Sequence, residues 1–106
     1  MNSEIINIYN VCKHIADNKT RIEVNELFIE ELSELIKAVV KLHRWLNGET
    51  TLRYNIDEIY NNLCEETADV IIMMLQFIHK NNIEHEKLLD EISKKIIRYY
   101  ETISDK

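Results

Sequence analysis

Apolar residues recur at intervals of three and four along most of the chain, the spacing that places side chains on one face of an α-helix. The sequence has one Gly and no Pro, so few residues would interrupt long helices. The pattern predicts four helices, from about Ser3 to Ala16, from Glu23 to Leu46, from Ile56 to Lys80, and from Asn82 onward. We therefore expect one all-α domain over residues 1–106, a four-helix bundle-like protomer with long antiparallel second and third helices.

Each of the two long helices carries an apolar seam. The seam of the second helix consists of Phe28, Leu32, Leu35, Val39, Leu42 and Leu46. The seam of the third helix consists of Ile59, Leu63, Val70, Met74 and Phe77. The second half of the third helix, with its run VIIMML, is apolar nearly all round, and such a helix must be enclosed by neighbours. This surplus of apolar surface predicts a homo-oligomer, a homodimer or a homotetramer.

Composition and charge exclude several classes of protein. The formal net charge is −6, which disfavours nucleic-acid binding because an acidic surface repels phosphate backbones. The longest apolar run is too short to span a membrane, and the first residues do not resemble a signal peptide. Cys12 and Cys64 form no paired motif, so we expect two buried free thiols. These features together predict a soluble, cytoplasmic protein.

Each of the two long predicted helices contains an acidic motif, EELSEL at residues 30–35 and EETADV at residues 65–70. Residues three apart share a helix face, so Glu31 lies beside Glu34, and Glu66 lies beside Asp69. The two pairs are equally distant from the predicted loop. An antiparallel hairpin therefore brings Glu34 near Glu66 and Glu31 near Asp69.

Four facing carboxylates would repel one another unless a cation lay between them. Oxygen ligands without His or Cys favour Mg²⁺, with Mn²⁺ as a second choice. A di-iron site would need Glu-x-x-His motifs, and no His in the sequence has a Glu three residues before it. A single Glu-x-x-Glu pair is commonly only a solvated helix face, and the second pair at the matching height is what favours a metal site.

The acidic face of the second helix continues toward its carboxyl end through Lys41 and Trp45. A cation suits phosphate groups and a flat ring suits a nucleobase, so this order is typical of a nucleotide site. Taken alone, each residue has a simpler explanation, a solvated lysine and an amphipathic cap on the core.

The two acidic motifs resemble the paired Glu-x-x-Glu and Glu-x-x-Asp motifs of the MazG-like nucleoside triphosphate pyrophosphohydrolases. These enzymes belong to the all-α NTP pyrophosphatase superfamily, together with dimeric dUTPases and phosphoribosyl-ATP pyrophosphatases. The resemblance implies hydrolysis of a nucleoside triphosphate to a monophosphate and pyrophosphate. It also implies that Mg²⁺ is held by four acids, Glu31, Glu34, Glu66 and Asp69, with Glu34 as the first choice to activate the attacking water.

The last helix adds two further residues to this expectation. Lys95 and Arg98 match positions where relatives place basic residues that help to bind phosphate. Ile96 stands where many relatives have Asn, a departure in this helix. Two alternatives stay open: a nucleotide-binding or helical interaction module without turnover, and a pyrophosphatase acting on a related phosphoribosyl-nucleotide.

Overall fold

The chain forms four α-helices, which are α1 (Asn2–Ala16), α2 (Arg21–Leu46), α3 (Ile56–Lys80) and α4 (His85–Ser104). The computed structural model describes residues 2–49 and 55–104, with side chains from residue 7 onward. These residues contain no β-strand, which confirms the predicted all-α class. Most of the predicted loop between the two long helices, residues 50–54, lies outside the described residues.

Local hydrogen bonds fix where α2 begins and ends. The Thr20 hydroxyl accepts a hydrogen bond from the Glu23 backbone N–H at 3.1 Å, and the Thr20 N–H donates to the Glu23 carboxylate at 3.4 Å. This capping box starts the helix at Arg21, two residues before the predicted start. At the other end, Asn47 caps the helix and Gly48 adopts φ +76°, as the Asn-Gly pair predicted.

Replacing Thr20 by Ala should lower the free energy of unfolding by about 1 kcal/mol, because the first turn of α2 loses its capping hydroxyl. Urea denaturation followed by circular dichroism measures the change. Thr102→Ala is the matched control, since the Thr102 hydroxyl bonds the Arg98 carbonyl within a helix and caps no terminus. Equal destabilisation by both variants would contradict the assigned role of the cap.

The boundaries of α3 agree with the prediction, but the predicted start of α4 was wrong by three residues. Asn55 caps α3 through a hydrogen bond from the Glu58 backbone N–H to its side chain at 2.9 Å. Asn82 has φ +53°, a left-handed conformation that no helix continues through. The turn at Asn82 delays α4 until His85.

The two long helices pack antiparallel, as predicted. The Asn25 and Asn81 side chains hydrogen-bond at 2.8 Å, and the rings of Phe28 and Phe77 lie 4.9 Å apart. Farther along the pair, Lys41 lines a groove with residues from the first turns of α3. Rising numbers in α2 therefore meet falling numbers in α3, and the acidic motifs come to the same height.

The predicted seam of α2 was only half right. Phe28, Leu35 and Leu42 are half-buried, but the other three seam residues are exposed, namely Leu32, Val39 and Leu46. The buried positions are instead Val24 and Ala38. The buried face of α2 therefore includes the small Ala38 in place of some of the larger aliphatic side chains.

A similar correction applies to α3 and to the cysteines. Met73 is buried against the other helices, whereas the predicted seam residue Met74 is 41% exposed. The amino-terminal helix α1 packs on α3 and buries Cys12. Cys12 and Cys64 are both free thiols, as predicted, but Cys64 is exposed because it lies on the outer side of α3.

The last helix, α4, does not join the bundle of α1, α2 and α3. Its amino-terminal end contacts the others, since the His85 ring and the Tyr9 hydroxyl of α1 hydrogen-bond at 2.6 Å and Leu88 lines a groove with residues of α3. It makes no extended contact beyond this, and none of its residues is buried. The radius of gyration is 17.4 Å, against about 13 Å for a compact domain of this length. The predicted bundle therefore describes α1, α2 and α3 well, whereas α4 contacts them near its amino-terminal end and leaves most of its apolar residues exposed in the single chain.

None of the described helices combines the length and the apolar character needed to cross a membrane.

Candidate functional site

Three of the four predicted acids converge in the structure. One carboxylate oxygen each from Glu31 on α2 and from Glu66 and Asp69 on α3 lies within 4.8 Å of the others. Glu31 and Glu66 are half-buried between the helices, whereas Asp69 is exposed. The facing arrangement arises because Glu31 lies on the buried side of α2, between Phe28 and Leu35 along the chain. The cluster thus bridges both long helices.

Burial and mutual repulsion both act on Glu31. Loss of hydration raises the pKa of its carboxyl, and the nearby charges of Asp69 and Glu66 raise it further. Glu30 and Glu34 contribute in the same direction from the same helix. The site is therefore electrostatically strained when it holds no cation, as expected for carboxylates that share a ligand.

Replacing Glu31 by Gln should raise the melting temperature of the metal-free protein at pH 7. Because the pKa of Glu31 is raised in the folded state, ionisation of Glu31 opposes folding. This penalty is complete at a pH above the folded-state pKa, and it is absent at a pH well below the ordinary value near 4.5. The difference between parent and variant should therefore shrink as the pH falls toward about 4.

Thermal melts in chelator at both pH values measure this effect. Glu26→Gln is the control, because Glu26 is an exposed acid of the same helix outside the cluster. An equal loss of stability for Glu31→Gln at both pH values would contradict the claim that the ionised Glu31 carboxylate destabilises the metal-free fold.

Glu34 occupies a different position from the one predicted. Its carboxylate lies 3.3 Å from the Lys37 ammonium, and Glu34 is not one of the three converging acids. Glu34 and Glu66 nevertheless line the same groove, so the two residues are neighbours, as predicted. Glu34 thus stands at the border between the acid cluster and a set of cations.

The donor set of the cluster fits a hard divalent cation. All three groups are carboxylates, and no His or Cys takes part. Such all-oxygen sites suit Mg²⁺ or Mn²⁺ and do not suit zinc or a di-iron centre. A cation at this point would relieve the repulsion that raises the Glu31 pKa.

An open groove of about 350 Å³ adjoins the cluster on the α2 side. The polar side chains that line it are Glu34, Lys37, Lys41, Arg44, Asn62 and Glu66. The predicted Lys41 is thus in place, and two further cations accompany it. Lys37 and Arg44 precede and follow Lys41 by four and three residues, so the helical spacing of the sequence already carried this signal.

The other predicted substrate-binding residues lie outside this groove. Trp45 is 42% exposed and does not line the groove, whereas the neighbouring Arg44 does. Lys95 and Arg98 lie in the carboxyl-terminal half of α4, which makes no extended contact with α2 or α3, so a single chain does not bring them to the acids. Arg98 instead lies 5.8 Å from the Tyr99 ring centre.

A comparison with known proteins gives one match. The family model of phosphoribosyl-ATP pyrophosphohydrolase matches residues 8–96, a span that includes all of α2 and α3 and both acidic motifs. No significant match was found among curated proteins or among solved structures. This family is all-α and related to the MazG-like enzymes, in agreement with the resemblance carried by the two motifs. The chain therefore belongs to the phosphoribosyl-ATP pyrophosphohydrolase family and is a pyrophosphohydrolase.

Proposed function

We propose that this pyrophosphohydrolase depends on Mg²⁺ and cleaves nucleoside triphosphates, with ribose or deoxyribose, to a nucleoside monophosphate and pyrophosphate. One observation carries the proposal, the convergence of three carboxylates within 4.8 Å beside a groove lined by three cationic side chains. A metal–triphosphate complex needs both kinds of partner, acids for the cation and bases for the phosphates.

Glu31, Glu66 and Asp69 would hold Mg²⁺, or Mn²⁺, and we propose Glu34, which lines the same groove as Glu66, as a fourth ligand. When bound, the cation would neutralise charge that develops on the phosphate oxygens. The half-buried position of Glu31 and Glu66 between two packed helices holds their carboxylates in a fixed geometry. Such preorganisation is a main source of catalysis in phosphoryl transfer.

Glu34 is our first choice for the group that orients or deprotonates the attacking water. Its carboxylate lies outside the three-acid cluster and yet borders the groove that Glu66 also lines. A general base must lie within reach of the proton that it accepts.

Trp45, Lys95 and Arg98 are assigned to the substrate through a second copy of the chain. We propose a homodimer or homotetramer in which the exposed apolar side of α4 packs on another protomer. Such packing would bring Lys95 and Arg98 toward a neighbouring groove, where they would contact phosphate. Trp45, exposed near the carboxyl end of α2, would stack on a nucleobase.

A cytoplasmic location is part of the proposal. Both cysteines are free thiols, which is typical of proteins in a reducing compartment. The net charge of −6 supports a small nucleotide, neutralised by Mg²⁺, as the ligand in preference to a nucleic acid.

A pyrophosphate-release assay over all ribonucleoside and deoxyribonucleoside triphosphates tests the function. We expect release of pyrophosphate and the monophosphate in Mg²⁺ and none in chelator. Release of orthophosphate in place of pyrophosphate would contradict cleavage between the α and β phosphates. Silence over the whole panel would contradict the nucleoside triphosphate as substrate.

Phosphoribosyl-ATP is the second candidate substrate, favoured by the family match. Its triphosphate group presents the same bond to the same acids, so the chemistry is shared and only the base side differs. Including phosphoribosyl-ATP in the panel separates the two candidates. Turnover of this compound alone would assign the second function.

A further inference from the structure

The groove beside the acid cluster has a strong gradient of charge along α2. Glu34 and Glu66 line the end next to the cluster, and Lys37, Lys41 and Arg44 line the rest. With 1.5 Å of rise per residue, about 10 Å separate the levels of Glu34 and Lys41. A short phosphate chain together with a lysine side chain can span this distance between the acidic and the basic ends of the groove.

The helix α3 supplies the opposite wall of this groove. Asn62, one turn before Glu66, lines it together with Lys41. The same two residues also line an adjoining groove with Glu58. An amide donates hydrogen bonds to phosphate oxygens, whereas the Glu58 carboxylate would repel a further phosphate. Asn62 is thus the α3 side chain suited to an anion in this groove, and Glu58 disfavours one in the adjoining groove.

The floor of the groove leaves room for a bound group. Ala38 lies on the same face as Glu34 and Lys41 and is buried, so no long side chain fills the centre of the groove. The cations flank this space from one helix at positions four and three residues apart. Three such side chains can contact different oxygens of the same anion.

We propose that Lys37, Lys41 and Arg44, with Asn62 opposite them, bind the two terminal phosphates of the substrate, which leave as pyrophosphate. This inference rests on the proposed function and adds a direction to it. The phosphate chain runs along α2, with its α-phosphate at the acids and its γ-phosphate toward Arg44.

Titration calorimetry with inorganic pyrophosphate in Mg²⁺ tests this binding without requiring turnover. In the double variant Lys41→Gln/Arg44→Gln, the dissociation constant for pyrophosphate should rise about tenfold or more, because charge-assisted hydrogen bonds are lost. The affinity for a nucleoside monophosphate should stay within about twofold of the parent, since its phosphate would lie at the acids. Melting curves confirm that the variant is folded.

Lys87→Gln is the matched control, an exposed lysine of α4 that lines neither groove of the site. Parent-like pyrophosphate affinity in the double variant would overturn the inference. Loss of pyrophosphate binding in Lys95→Gln/Arg98→Gln alone would overturn it as well. If pyrophosphate binding depends on Lys41 and Arg44 while no nucleotide is hydrolysed, the proposed phosphate-binding residues are supported and the proposed function is contradicted.

Discussion

Replacing Glu66 by Gln should reduce Mg²⁺-dependent pyrophosphate release by about 10²-fold or more, the loss usual when a preorganised electrostatic group is removed. Glu66 is one of the three converging acids and also lines the groove, so it stands at the junction of the proposed metal and phosphate sites. Gln keeps the size of the side chain and removes its charge. The fold should therefore persist while the cluster loses a ligand.

Glu65→Gln is the matched control for this variant. Glu65 is the adjacent acid of α3, is exposed, and takes no part in the cluster. Steady-state pyrophosphate release is measured for the parent and both variants at saturating Mg²⁺. The comparison separates the effect of removing one negative charge from α3 from the effect of removing a proposed metal ligand. Parent-like activity of Glu66→Gln would remove Glu66 from the active site.

Introducing Asp at both Ile96 and Ile103 should convert the proposed oligomer to a monomer. These residues belong to the apolar side of α4, where the exposed large side chains include Leu89, Ile92, Ile96, Tyr99 and Ile103. Burying one such side chain is worth about 1.5–3 kcal/mol, so losing two weakens association by more than about 10²-fold. Activity should fall with assembly, because Lys95 and Arg98 would no longer reach a neighbouring groove.

Light scattering coupled to size-exclusion chromatography measures this effect at several protein concentrations. Glu101→Lys is the control, since Glu101 lies on the other side of α4 by helical spacing and is exposed. A parent protein that is monomeric at every concentration would contradict the assembly. An oligomer that survives in the double Asp variant would place the interface elsewhere.

The acid cluster was predictable because it follows from local rules. Helical spacing places Glu66 and Asp69 on one face, and the antiparallel hairpin sets their height opposite Glu31. Glu34 departs from this prediction, since it lies outside the three-acid cluster and its carboxylate pairs with Lys37. The spacing of the acids alone does not specify which of them pairs with a basic side chain and which with another acid.

The distribution of apolar side chains was less predictable. The apolar stripe of α2 is wider than one helix neighbour can cover, so the spacing did not decide whether Leu32 or Ala38 faces α3. Periodicity likewise identified α4 as amphipathic without specifying what its apolar side contacts. In both cases the choice depends on tertiary or quaternary packing, which is not encoded within a single turn of helix.

The most direct test of the account is a crystal structure of the protein with Mn²⁺, recorded at the manganese absorption edge. We predict an anomalous peak between Glu31, Glu66 and Asp69, and its loss in crystals of Glu66→Gln. A Mn²⁺-saturated crystal with no peak at these carboxylates would contradict the claim that the facing acids form a metal site.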